Sequence, residues 1–83
     1  MILGIGERSP RISPSSSLKR KFGERAQELR IQRKMTQEQL GEILNFDRAY
    51  VSAIETGKIN VTLENIGRIA KALKVSLSEL FNF

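Results

Sequence analysis

The sequence predicts an all-α domain of five short helices. Three observations predict it. From Leu18 onward the apolar residues recur at three- and four-residue spacing, with no alternation long enough for a strand. Ser, Thr or Asp stands just before each apolar run, where an oxygen can accept from the unpaired N–H groups of a first helical turn. Between the second and third runs lie Gly41 and Asn45. They fall where two helices meeting at a steep angle need a small residue and a left-handed one.

Residues 1–17 read as a flexible N-terminal tail. Pro10, Pro14 and Ser15–Ser17 break any period, and after Ile5 only Ile12 offers apolar surface. Residues 18–83 make the helical domain. Helix one is expected from Leu18 to Lys34, capped by Ser16 or Ser17, with Leu18, Phe22, Ala26 and Leu29 on one face. Helix two starts at Thr36 as its cap, and Thr36 with Gln39 fits a capping box; Leu40, Ile43 and Leu44 form its stripe. Helix three starts at Asp47 as cap, turns Val51 and Ile54 inward, and stops at Gly57, which tolerates the left-handed conformation. Helix four follows Thr62, with Leu63, Ile66, Ile69, Ala70 and Leu73 as its apolar set. Helix five runs from Ser76 to about Phe81, where Ser76 and Glu79 fit a second capping box and Leu77, Leu80 and Phe81 are apolar. A core of this size supplies only ~3–5 kcal/mol, so association through spare apolar surface would add stability.

Composition excludes several kinds of chemistry. The 83 residues include no Cys and no His. Thiolate zinc sites, disulfides, His-based acid–base catalysis and a Ser-His-Asp triad are therefore impossible. No Gly-rich phosphate loop and no acidic metal cluster occurs, so neither an enzyme nor a cofactor is expected. Met1–Gly6 is apolar but too short for a signal-peptide core, and no apolar run reaches membrane-span length, so a cytoplasmic protein is expected. The net charge is +5 and the isoelectric point about 10.1, which suits a polyanionic partner. The charge is uneven: +5 over residues 18–34, −3 over 35–56, +2 over 57–83. The basic stretch reads either as a solvated helix face or as part of an anion-binding surface.

The stretch Gln37–Ile54 carries the strongest signal. Gly41 is the small residue at the helix crossing and Asn45 the left-handed residue of the turn. Leu40, Leu44, Phe46, Val51 and Ile54 are the apolar residues that seal the angle. A plain helical hairpin would not need the small and the left-handed residue together.

These residues extend into a wider resemblance. Thr36-Gln37-Glu38-Gln39-Leu40-Gly41, Val51-Ser52-Ala53-Ile54-Glu55-Thr56-Gly57-Lys58, Leu63-Glu64-Asn65-Ile66 and Ile69-Ala70-Lys71-Ala72-Leu73 resemble the Cro/C1-type (XRE) helix-turn-helix family, to which lambda-like phage repressors belong. The resemblance covers about residues 18–83. Asp47-Arg48-Ala49-Tyr50-Val51-Ser52 is also similar to the recognition-helix start of restriction–modification controller proteins.

The resemblance implies a lambda-repressor-like fold and roles for particular residues. Helix three would enter the major groove, with Arg48, Ala49, Ser52 and Ala53 facing bases and Tyr50 at the groove wall. Arg48 has the fork geometry for guanine O6 and N7, although a surface pair with Asp47 or Glu55 would also suit it. Ala49 offers only a methyl contact, and Tyr50 fits either a core position or a phosphate donor. Gln37, Thr56, Lys58, Asn60 and Thr62 would hold phosphates, Thr62 doubling as a helix cap. Arg30 and Glu55 would form a structural ion pair, and Leu77, Leu80, Phe81 and Phe83 a dimer interface unless they all pack inward. The function implied is a sequence-specific DNA-binding transcriptional regulator, a homodimer on a two-fold operator. Its partners would be double-stranded DNA and a second copy, with no membrane and no small-molecule ligand. The alternative is an antitoxin with autoregulatory DNA binding, for which only residues 1–17 are spare to cover a toxin.

Overall fold

The computed structural model describes residues 14–83. Five helices follow in order: α1 (Pro14–Gln32), α2 (Gln37–Leu44), α3 (Arg48–Glu55), α4 (Leu63–Leu73) and α5 (Leu77–Leu80). No strand occurs among the described residues. Residues 1–13, most of the expected tail, lie outside them.

Helix α1 starts at Pro14, ahead of the expected Leu18, so Ser16 and Ser17 lie inside the helix and not before it. Proline suits a first helical position: the N–H it lacks would be unpaired there, and its fixed φ is already helical. The helix also ends early. Lys34 adopts φ 59° and the Met35 N–H reaches back to the Arg30 carbonyl at 3.2 Å. That left-handed stop is the usual way to satisfy last-turn carbonyls.

The other boundaries follow local chemistry. Thr36 and Gln39 close a capping box with bonds of 3.0 and 2.8 Å, and Ser76 and Glu79 close a second with bonds of 3.1 and 3.2 Å. The Thr62 hydroxyl accepts from the Asn65 N–H at 3.1 Å. Asp47 occupies the cap position of α3 but makes no side-chain cap bond. Gly57 ends α3 at φ +74°.

The core takes Phe22, Ala26 and Leu29 from α1, Leu40 and Leu44 from α2, Val51 and Ile54 from α3, Ile69, Ala70 and Leu73 from α4, and Leu80 from α5. Burying each large apolar side chain contributes roughly 1.5–3 kcal/mol. Leu18, Ile43, Leu63, Leu77 and Phe81 remain exposed, against the apolar pattern. On α2 the buried arc runs through Leu40, Leu44 and Gly41, and at about 100° per residue Ile43 falls off its far side. Leu63 opens α4 before the packed turns begin and is 85% exposed.

Candidate nucleic-acid interface

The angle between α2 and α3 is fixed by two residues. Asn45 holds φ 60° and ψ 43°, and the Phe46 N–H bonds to the Gly41 carbonyl at 2.8 Å. A Cβ on Gly41 would stand 2.6 Å from the Phe46 carbonyl oxygen, so any larger residue would push the turn away from α2. Past this turn, Val51, Ile54 and Glu55 face inward. The remaining arc of α3 carries Arg48 and Ala49, both exposed, with Ser52 and Ala53 half-buried beside them. Tyr50 is half-buried, its ring edge-on to Phe46 at 4.8 Å between centroids. It packs as part of the wall beside the core while keeping an accessible side.

A continuous polar chain supports this face from below. Arg30 grips Glu55 with two bonds, Nε to Oε2 at 2.7 Å and Nη2 to Oε1 at 3.2 Å, and spends Nη1 on the Met35 carbonyl at 2.6 Å. The side chains are 10% and 1% exposed, so the pair is buried and hydrogen-bonded at both ends. Gln37 Nε2 donates to Glu55 Oε1 at 3.0 Å, and Gln37 Oε1 accepts from Arg48 Nη1 at 3.0 Å. The sense of the amide follows from its neighbours. An ionised carboxylate only accepts and a guanidinium only donates, so the NH₂ must face Glu55 and the oxygen Arg48. Glu38 Oε2 lies 3.9 Å from Arg48 Nε. The partners of Arg48 are thus Gln37 and Glu38, and not Asp47 or Glu55.

The residues expected at phosphates divide into two kinds. Lys58 and Asn60 are exposed in the loop between α3 and α4. The others have work inside the protein. The Thr56 hydroxyl donates to the Ser52 carbonyl at 2.9 Å, Thr62 caps α4, and Gln37 is held at both ends of its amide.

Three positions that the sequence reading passed over also shape the site. Arg68 of α4 donates to the Leu44 carbonyl and to Asn65 Oδ1 at 3.2 Å, with its guanidinium 5.0 Å from the centre of the Phe46 ring. It therefore ties the end of α2 and the turn residue to α4. Arg25 Nε donates to the Glu79 carbonyl at 2.9 Å, linking α1 to α5. Gly23 lies where α1 crosses the end of α3: a Cβ there would be 2.3 Å from the Ile54 carbonyl oxygen. None of these has a local signal, because each depends on which helix lies alongside.

At the C-terminus, Leu77, Phe81 and Phe83 are exposed, while Leu80 is 0% exposed. Leu80 therefore belongs to the core of the protomer and is unavailable to a partner, a correction to its expected place in a dimer interface. Phe81 links the two regions, stacked at a tilt 5.4 Å from Phe22 and 6.0 Å from Phe83.

The helix-turn-helix family model matches residues 27–80, which include all of α2 to α5. The chain belongs to the helix-turn-helix family. The Cro/C1-type resemblance read from its motifs is upheld by its relatives within this family. It is 38% identical over 68 residues to the control protein C.MunI of Mycoplasma sp, an alignment spanning 81% of this chain and 92% of that protein. Its fold is similar to that of the restriction–modification controller protein C.AhdI from Aeromonas hydrophila, with TM-score 0.77 and 40% identity over 83% of this chain and 99% of the other. It is also similar to the controller protein C.Esp1396I, solved as a tetramer in complex with its natural 35-base-pair operator, with TM-score 0.70 and 36% identity over 77% and 84% of the two chains. Among the described residues of this helix-turn-helix protein, no helix is long and apolar enough to cross a membrane.

Proposed function

We propose that this helix-turn-helix protein is a homodimeric, sequence-specific DNA-binding regulator of the restriction–modification controller class, acting in the cytoplasm by occupying a two-fold operator and carrying out no catalysis itself. One observation carries the reading. The turn at Asn45 and the close crossing at Gly41 leave one arc of α3, with Arg48 and Ala49 exposed on it, free of the core. A short helix presented this way suits the major groove, with its first residues at base edges. Arg48 is the base-reading residue, with Ala49, Ser52 and Ala53 beside it and Tyr50 at the groove wall. Lys58, Asn60, Thr56, Thr62 and Gln37 line the phosphate path, and Leu77, Phe81 and Phe83 supply the surface for a second copy. The matched relatives include controllers and a phage immunity repressor, which favours this reading over an antitoxin.

The test is selection of bound duplexes from a random-sequence pool, followed by titration of the selected and a scrambled duplex at several salt concentrations. Arg48→Ala is expected to cost ~1–3 kcal/mol on the selected duplex and to relax preference at one base pair per half-site. Lys58→Ala is expected to weaken both duplexes equally and to reduce the salt slope by about one unit. A pool that yields no consensus, or an Arg48→Ala protein that loses equally on both duplexes, would overturn the assignment.

A further inference from the structure

The basic stretch at the start of the domain divides by what each cation touches. Of the seven cations between residues 18 and 34, Arg30 is buried against Glu55, and Arg25 donates to the Glu79 carbonyl at 2.9 Å. Lys19, Arg20 and Lys21 stand together near the start of α1. Arg20 is set against the loop that follows α3: a Cβ on Gly57 would lie 2.8 Å from Arg20 Cα and 3.2 Å from Arg20 Cβ. Consecutive Cα atoms are about 3.8 Å apart, which places the Lys58 Cα within about 8 Å of that of Arg20. The loop is fixed there by the left-handed turn at Gly57, φ +74°, and by the Lys58 N–H, which donates to the Ala53 carbonyl at 2.9 Å. Along the same seam, Leu18, Lys19 and Phe22 of α1 face Ile59, Asn60 and Val61 across a shallow cavity. Two long, exposed cations, Arg20 and Lys58, are thus rooted side by side on rigid backbone just past the end of α3.

We infer that Arg20 is a DNA-backbone contact, which together with Lys58 grips phosphates beside α3. The inference rests on the major-groove reading of α3 given above and adds to it a contact from α1. Like charges rooted this close repel each other in the free protein, and a polyanion relieves that repulsion. Glu24, one turn along α1, pairs with Arg20 at 3.7 Å, but the two side chains are 62% and 60% exposed. A pair so exposed is weak and screened by salt, so a phosphate can replace it. Every duplex carries phosphates. The cost of leaving Glu24 and the gain from the phosphate therefore fall alike on operator and on other DNA. Arg20 adds affinity and salt dependence without adding discrimination, in contrast to Arg48.

Arg20→Gln removes the charge from an exposed position, and Arg20→Lys keeps it. Binding is measured by titrating fluorescent duplexes, one the best sequence from random-pool selection and one its scrambled version, across a range of salt. Arg20→Gln is expected to weaken both duplexes by the same factor, about 3–10-fold for each protomer near 0.1 M salt. The salt slope should fall by about one unit for each protomer, with the ratio of the two affinities unchanged. Arg20→Lys is expected to keep the wild-type slope, since an ammonium binds phosphate as a point charge. Lys21→Gln is the control: it makes the same change in net charge at another exposed position, about 100° further round α1 and away from the loop. Its slope is expected to change by less than half as much. An unchanged slope for Arg20→Gln, an equal fall for Lys21→Gln, or a loss confined to the selected duplex would overturn the inference. A wild-type protein that selects no consensus would instead sink the major-groove reading, so the two failures are distinct.

Discussion

Gly23 and Ile54 meet backbone to backbone where α1 crosses the end of α3: a Cβ on Gly23 would stand 2.3 Å from the Ile54 carbonyl oxygen and 2.6 Å from that of Glu55. Gly57 repeats the arrangement from the other side, its Cβ position 2.8 Å from Arg20 Cα. The two glycines let α3 sit directly on α1, which brings Glu55 within reach of Arg30. Gly23→Ala would gain about 1 kcal/mol of helix propensity. It must separate two backbones to do so, and overpacking of this kind costs ~1–3 kcal/mol. We expect a net loss of stability, read as a lower thermal midpoint, with Gly23→Ser at least as damaged. A midpoint raised by Gly23→Ala would show that the crossing is looser than described.

The buried Arg30–Glu55 pair makes a second prediction. Arg30→Met leaves Glu55 buried, with Gln37 as its remaining side-chain partner, and should cost ~3–5 kcal/mol in chemical denaturation. The double variant Arg30→Met/Glu55→Met removes both charges and should recover a large part of that loss. It should also leave Gln37 without its anchor, so DNA discrimination should remain impaired even where stability returns. Additive losses in the two single variants and the double would show that the residues do not act as a pair.

The C-terminal apolar residues separate into two kinds that mutation can tell apart. Leu77 and Phe83 are 53% and 52% exposed, whereas Leu80 is fully buried. Leu77→Glu/Phe83→Glu should give a monomer by light scattering with unchanged helical circular dichroism. Leu80→Ala should destabilise the protomer by ~2–5 kcal/mol through the cavity it opens. A wild-type protein that is already monomeric at tens of micromolar while binding DNA tightly would remove these residues from any dimer interface.

For residues 1–17, we propose that the functional boundary lies at Pro14, where α1 starts. Deleting residues 1–13 should shift the thermal midpoint by less than about 4 °C, because a ~1 kcal/mol change moves it by that much or more in a domain this small. Deleting residues 1–17 also removes the first turn of α1, and any larger drop should appear only in that second truncation.

The sequence by itself determined what is local. Helix starts at Thr36, Thr62 and Ser76 were legible because a hydroxyl before an apolar run satisfies unpaired N–H groups two or three residues away. The turn was legible because Gly41 and Asn45 answer steric demands set within ten residues. The start of α1 was not, since the serines after Pro14 looked like caps while the proline itself opens the helix. Tertiary structure decided the rest. Whether an apolar residue on a short helix is buried depends on which arc its neighbours cover, so Leu80 went to the core and Ile43 and Leu63 to the surface. Gly23, Arg25 and Arg68 have roles only because α1, α3, α4 and α5 lie where they do. The Glu38–Arg48 contact is of the same kind. Its residues are ten positions apart on different helices, and only the angle of the turn makes them neighbours.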